Sequence, residues 1–216
     1  MKAAATDIPQ PDRAVGVFLD EEKLIADMGF PISPDDLIAK AKYALDGGRY
    51  LTDEELVDPD KFTFNAPVVG PLSYAEFTTA FKGFGLTEAF PDLQPCIYHF
   101  RVDPYQPGRV WFTSRSWGVN TGPLMGGEPT NKVADAPPQN SSFTFSEGGK
   151  IVDMTVGYVQ DKRLGNQGGL GAAFGMLYAV GKGLPFPEGQ PYKISWRFRL
   201  VNLLGSITRR LRKGRG

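Results

Sequence analysis

The single histidine of the chain, His99, alternates with Ile97 and Arg101 on one side of a would-be strand, with Tyr98, Phe100 and Val102 on the other. An imidazole titrates near neutrality, so inside a pocket His99 can exchange a proton with a carboxylate. As a hydrogen-bonded residue on a sheet face it would do no chemistry, and its spacing allows both roles. Trp111, Thr113, Arg115 and Trp117 share a face by the same alternation. A guanidinium beside indole rings can grip a flat anionic ligand; it can equally form a structural ion pair under a packed ring. Tyr158 and Asp161 lie three residues apart in the last predicted strand, so they face opposite ways and cannot both line one cavity. Asp161 stands at the strand end, where a carboxylate either caps a turn or meets a ligand.

Other chemistries find little support. Cys96 is the only cysteine, which excludes a disulfide framework. Cys96 and His99 are too few for a transition-metal site, whose His and Cys ligands come in sets of three or four, and no Asp/Asn/Gly loop has calcium spacing. The expectation is a protein without metal or cofactor. Gly169-Leu170-Gly171-Ala172-Ala173-Phe174-Gly175 looks like a dinucleotide fingerprint, but its third glycine comes one place late and it follows the strands instead of opening a βαβ unit. Gly181-Lys182 fails the phosphate-loop pattern because Met176 occupies the first glycine position.

The elements that must position these residues change period along the chain. Ser33-Pro34-Asp35-Asp36 starts a helix that runs to about Leu45 and stops at Asp46-Gly47-Gly48. Asp20 to Met28 can form a shorter helix, and Thr52-Asp53-Glu54-Glu55 another. Ser73-Tyr74-Ala75-Glu76 is a capping box, followed by the apolar stripe Phe77, Ala80, Phe81, Phe84. From about residue 90 the period is two. The turn Asp103-Pro104-Tyr105-Gln106-Pro107-Gly108 reverses the chain, and Ser146-Glu147-Gly148-Gly149 joins Ser142–Phe145 to Ile151–Gln160 as a hairpin. Helices first and antiparallel strands later is an α+β pattern.

At 216 residues, 41% hydrophobic and 22% charged, the chain can bury a full core. Its formal charge is zero, but all 24 carboxylates lie at or before Glu188. The body through Trp196 carries 17 basic against 24 acidic residues, −7, and the seven basic residues beyond it make the tail +7. In that tail Trp196, Leu200, Leu203, Leu204, Ile207 and Leu211 recur at helical spacing, with Arg199, Arg209, Arg210 and Lys213 elsewhere. Such a helix over 194–216 lies on an anionic membrane surface, docks on an acidic protein partner, or folds back on its own acidic body; the turn-forming prolines at 185, 187 and 191 favour folding back. Nucleic acid is a poor partner, since the body is acidic and no stacking aromatics accompany the basic run. No run approaches the ~18 apolar residues of a spanning helix, and Met1-Lys2-Ala3-Ala4-Ala5-Thr6-Asp7 has no apolar stretch of a secretory signal.

Residues from about 50 to 161 resemble the SnoaL-like branch of the nuclear-transport-factor-2-like superfamily. The pieces that carry the resemblance are Phe62-Thr63-Phe64-Asn65-Ala66-Pro67, the helix at 73–84, Phe90-Pro91-Asp92-Leu93, Gly118-Val119-Asn120-Thr121-Gly122, Pro129-Thr130-Asn131-Lys132-Val133 and Gly149-Lys150-Ile151. The fold it implies is a cone: a strongly curved antiparallel sheet packed on helices, with a C-terminal extension. The division expected is an N-terminal arm over 1–32, the cone domain over 33–164, and a Gly-rich flap with the basic amphipathic helix over 165–216. Asp103-Pro104-Tyr105 and the Gly-rich 165–171 segment also look like members from photosynthetic algae, which implies a chloroplast location. By motif the resemblance makes Asp135 the acid/base carboxylate, which His99 could serve as partner from its place in the strand, and sets Asn120 where the family turn often has a histidine. It further implies that two copies can pair through the open sheet face as a homodimer.

Two functions follow. In the first, the cone binds a small apolar or polycyclic molecule through Trp111, Arg115, Trp117, Asn120, Tyr158 or Asp161, with isomerase- or cyclase-type proton transfer by Asp135 and His99. In the second, the protein is a non-catalytic interaction or scaffold module, held by its tail at a plastid membrane or photosynthetic assembly. A deep cavity holding a carboxylate favours the first; a cone filled by aromatic rings favours the second.

Overall fold

In the computed structural model residues 18–213 are described, with side chains through residue 207; residues 1–17, most of the expected arm, lie outside the described residues. Helix α1 (Glu21–Met28) starts where the Asp20 carboxylate accepts from the Lys23 N–H and ends at left-handed Gly29. Helix α2 (Pro34–Leu45) has Ser33 as its cap and proline in its first turn. Both ends match the sequence expectation, because caps are decided by a few adjacent residues. The stretch expected to be a second short helix tightens into a single 3₁₀ turn, Glu54–Leu56. Helix α3 (Tyr74–Phe84) begins with the full Ser73–Glu76 capping box and passes through Gly85 into the short α4 (Leu86–Ala89).

The strands β1 (Thr63–Asn65), β2 (Ile97–Asp103), β3 (Gln106–Ser114), β6 (Gln139–Phe145) and β7 (Ile151–Val159) form one sheet in the order β1-β7-β6-β3-β2. Strands β4 (Trp117–Val119) and β5 (Val133–Asp135) pair separately. Three features correct the sequence reading. Strand β1 lies parallel to β7, since about 90 residues of chain separate them and leave room for a crossover. The β2–β3 turn is shorter than expected, because the Asp103 carboxylate accepts from the Tyr105 and Gln106 N–H groups and β3 starts at Gln106. The long strand expected to run through Trp117 breaks after Ser114, so Trp117 belongs to the small sheet and not to the face of Trp111. Bulges in β2 and β7 bend the large sheet over the helices.

The face turned toward α2 and α3 is packed solid. Leu37 and Ala41 of α2, Phe77 of α3, and Val110, Phe112, Phe143 and Met154 of the sheet are all buried in one cluster, against which Ile25, Phe30 and Ile32 also pack. Residues 25–32 are therefore part of the cone's packing and not a loose arm. Tyr50, Phe77, Phe112, Phe143 and Phe145 form a chain of ring contacts with centroids 5.4 to 6.4 Å apart. Burial within this cluster pushes the Tyr50 phenol up to about 12. A raised phenol favours the neutral form in the folded state, so its stability is fully present below the ordinary tyrosine range and lost as pH climbs through about 12. Wild-type protein should then lose up to roughly 2–3 kcal/mol between about pH 10 and pH 12 that Tyr50→Phe keeps, measurable by urea unfolding along an alkaline series.

A second cluster forms around helix α5 (Ala172–Ala179), whose Met176 and Leu177 are buried against Leu86, Ala89, Phe90, Leu124 and Ala134. The Gly-rich segment before it is no flap over the cone. A helix this apolar on all sides must be enclosed, and α5 builds its own core beside β5. Helix α6 (Trp196–Lys213) follows as expected. Trp196, Leu200, Leu203 and Ile207 are nevertheless 45% to 69% exposed, so the helix does not fold back to bury its apolar side on the body.

Candidate functional site

The sheet face turned away from the helices is polar where the other is apolar, the outcome of alternation along β3 and, between its bulges, along β7. It holds a groove of about 1030 Å³ whose walls include Gln106, Arg109, Trp111, Asp153, Thr155 and Tyr158. At its centre Arg109 lies over the Trp111 ring, 4.5 Å from guanidinium carbon to ring centroid. Its Nε donates to Ser142 Oγ at 2.9 Å, one terminal nitrogen to Gln106 Oε1 at 3.0 Å, and the other to Thr155 Oγ1 at 2.9 Å and Asp153 Oδ1 at 3.5 Å. Asp153 Oδ2 accepts from Thr63 Oγ1 and Asn65 Nδ2, so β1, at the sheet edge, is tied to the site by side chains as well as backbone. The Trp111 indole N–H donates to Asp103 Oδ2 at 2.7 Å, which fixes the ring plane.

This arrangement offers a rigid aromatic and guanidinium platform rimmed by neutral amide and hydroxyl groups. Arg109 and Asp153 cancel each other's charge across 3.5 Å, and their side chains are 18% and 24% exposed. Both Asp153 oxygens already accept hydrogen bonds. A carboxylate so engaged has no lone pair aimed at a ligand and serves as a holder of Arg109 and not as a base.

No protein-family model and no curated protein matches the chain. Solved structures do. AclR from Streptomyces galilaeus, a proposed hydroxylase, aligns over 71% of this chain and 89% of its own at 18% identity, with a TM-score of 0.51. A proposed SnoaL-like polyketide cyclase from Jannaschia sp. CCS1 aligns over 57% of this chain and 85% of its own at 22% identity and a TM-score of 0.46. The proposed polyketide cyclase IdmH from Streptomyces antibioticus aligns over 58% and 91%, at 18% identity and 0.44. The chain has the SnoaL-like, NTF2-like fold. At these identities the likeness is one of fold, and function has to be argued from the site itself.

Within the SnoaL-like frame the residues singled out from the sequence scatter. Trp111 and Tyr158 do line the groove. Asp135 ends β5, faces Arg115 Nε at 4.0 Å with 38% of its side chain exposed, and stands outside the groove. Pro137 and Pro138 lie between Asp135 and β6, so β5 ends at Asp135 and re-entry into the large sheet waits until Gln139. His99 occupies the β2 bulge with φ 57, exposed and in edge contact with the Tyr98 ring, also outside the groove. Arg115 and Trp117 belong to the small-sheet region, Trp117 pairing with Asp135 across the strands and 43% exposed.

Asn120 is fully buried, and its amide is spent on the protein. Nδ2 donates to the Ala89 and Gly122 carbonyls at 3.0 and 2.9 Å, and Oδ1 accepts from the Thr130 N–H and hydroxyl at 3.0 Å each. It is a knot tying α4 to the 118–131 loop, with no surface for a ligand. Asp161 lies at a smaller cleft of about 390 Å³. The Arg163 guanidinium, hydrogen-bonded to it, and then the Arg163 backbone N–H hold its carboxyl at about 2. A carboxylate that acidic is a poor general base near neutrality.

Arg109 and Asp153 are among the groove residues that reading the sequence missed. Alternation already put Arg109 on the Trp111 face. The signal that would have found it is the Asp153–Arg109 pairing, and that is invisible without the β3-β6-β7 order.

Proposed function

We propose that this SnoaL-like protein binds, without turning it over, a small uncharged molecule with a planar ring system bearing several hydroxyl or carbonyl groups. The ligand lies in the outer groove against Trp111 and Tyr158. One observation supports this most: the Arg109 guanidinium held over the Trp111 ring beside neutral hydrogen-bonding side chains. The groove is of the size that takes ligands of drug-like dimensions. Its internally neutralised ion pair disfavours a charged ligand, which would face one partner's like charge. Absence of turnover is supported by the placement of Asp135 and His99 outside the groove and by the rings that fill the face toward the helices.

Isothermal titration with hydroxylated polycyclic aromatic ketones, a dihydroxyanthraquinone among them, is the first test. Binding should appear in the wild type and weaken about tenfold to a hundredfold in Trp111→Ala, since losing a stacking aromatic costs about 1–3 kcal/mol. Trp117→Ala, remote from the groove, should bind as the wild type does. Equal affinity in Trp111→Ala, or product formed by the wild type and abolished in Asp135→Asn, would sink the reading.

A further inference from the structure

The C-terminal helix exposes a run of large apolar side chains. Trp196 is 69% exposed, Leu203 56%, Leu200 45% and Ile207 45%, and Ile194 just before the helix is 51% exposed. On a helix of 3.6 residues per turn, Trp196, Leu200, Leu203 and Ile207, joined by Leu211, fall within an arc about 100° wide. Arg199 and Arg210 border that arc on one side and Arg197 on the other. Between Trp196 and Lys213 there are six basic residues and no carboxylate. The helix is set by its own sequence: the Ser195 hydroxyl accepts from the Phe198 N–H and the Ser195 carbonyl from the Arg199 N–H.

We propose that α6 lies flat on a bilayer containing anionic lipid, its Trp196–Leu200–Leu203–Ile207 arc in the acyl boundary and its bordering arginines at the phosphates. Three observations select this occupant. The cations flank the apolar arc, the arrangement in which both meet one interface at the same depth. A second copy of the helix is disfavoured, because pairing two helices that carry six cations and no carboxylate brings like charges together. The body, although acidic, leaves the arc uncovered. No helix of the described residues is long and apolar enough to cross a membrane, so the contact is one of lying on the surface.

The full chain should sediment with vesicles of phosphatidylcholine carrying phosphatidylserine, and at least tenfold more weakly with phosphatidylcholine alone. Raising salt from about 0.05 to 0.5 M should release it. Arg197→Gln with Arg199→Gln should weaken binding about thirtyfold. Leu200→Asp with Ile207→Asp should abolish binding while the melting temperature stays that of the wild type. Protein that stays in the supernatant with anionic vesicles at low salt overturns the proposal; a tail specific for an acidic protein would give that result. Undiminished binding by the Leu200→Asp, Ile207→Asp protein also overturns it, as would a melting temperature lowered by several degrees on deletion of 194–216, the mark of a helix docked on its own body.

Discussion

Replacing Phe143 by alanine should destabilise the protein by about 3–5 kcal/mol, lowering the melting temperature by roughly 10–15 °C. Phe143 is 0% exposed at the centre of the sheet's inner face, with ring centroids of Tyr50, Phe112 and Phe145 at 5.4, 5.6 and 6.3 Å. Truncation removes its burial and leaves a cavity walled by rings that cannot all collapse inward, because α2 and the β3–β6–β7 ladder hold the backbone around them. A loss that large is a major fraction of a domain's total stability. The measurement also bears on function. If the space under the sheet were a ligand pocket in solution, Phe143 would be a lining residue and its truncation would cost about 1 kcal/mol or less. Thermal unfolding followed by circular dichroism distinguishes the two.

Asn120→Ala should cost about 3–4 kcal/mol, an effect out of proportion to its size. The substitution leaves the Gly122 carbonyl and the N–H and hydroxyl of Thr130 without their Asn120 partner, and the Ala89 carbonyl with the Gly122 N–H alone. Each buried polar group stripped of its hydrogen bond costs about 1–3 kcal/mol, partly recovered by relaxation. Asn120→Asp should be destabilised too, since a second carboxylate oxygen would then face two carbonyl oxygens where the amide N–H groups now donate. A residue kept for ligand contact would give the opposite pattern, a melting temperature near wild type with weakened binding. Urea unfolding of both variants checks the expectation.

These two residues show where reading the sequence succeeds and where it stops. The hairpin that carries Phe143 was legible, because the turn residues at 146–149 sit between two strand-like runs. Asn120 entered the candidate ligand contacts by resemblance, standing where the family turn often has a histidine, and the loop that closes over it turns its amide to the protein instead. The same limit separated the aromatic pair: Trp111 and Trp117 alternate on paper, but the break after Ser114 sends them to different sheets.

What the sequence by itself determined is what neighbouring residues decide among themselves. Ser33 and Pro34 start α2, Ser73 and Glu76 start α3, the turn at 146–149 makes the β6–β7 hairpin, and the spacing from Trp196 onward makes an amphipathic basic helix. Each depends on contacts within a few positions, so each is written locally. Only the tertiary structure decided that β1 runs parallel beside β7, that Asp153 meets Arg109 from 44 residues away, and that α5 forms a core and not a flap. Those outcomes depend on strand order and register, and a shift of one residue in register moves a side chain to the opposite face. The groove exists because β3 and the β6–β7 hairpin, separate in sequence, put their polar sides together, and no single segment carries the information for that.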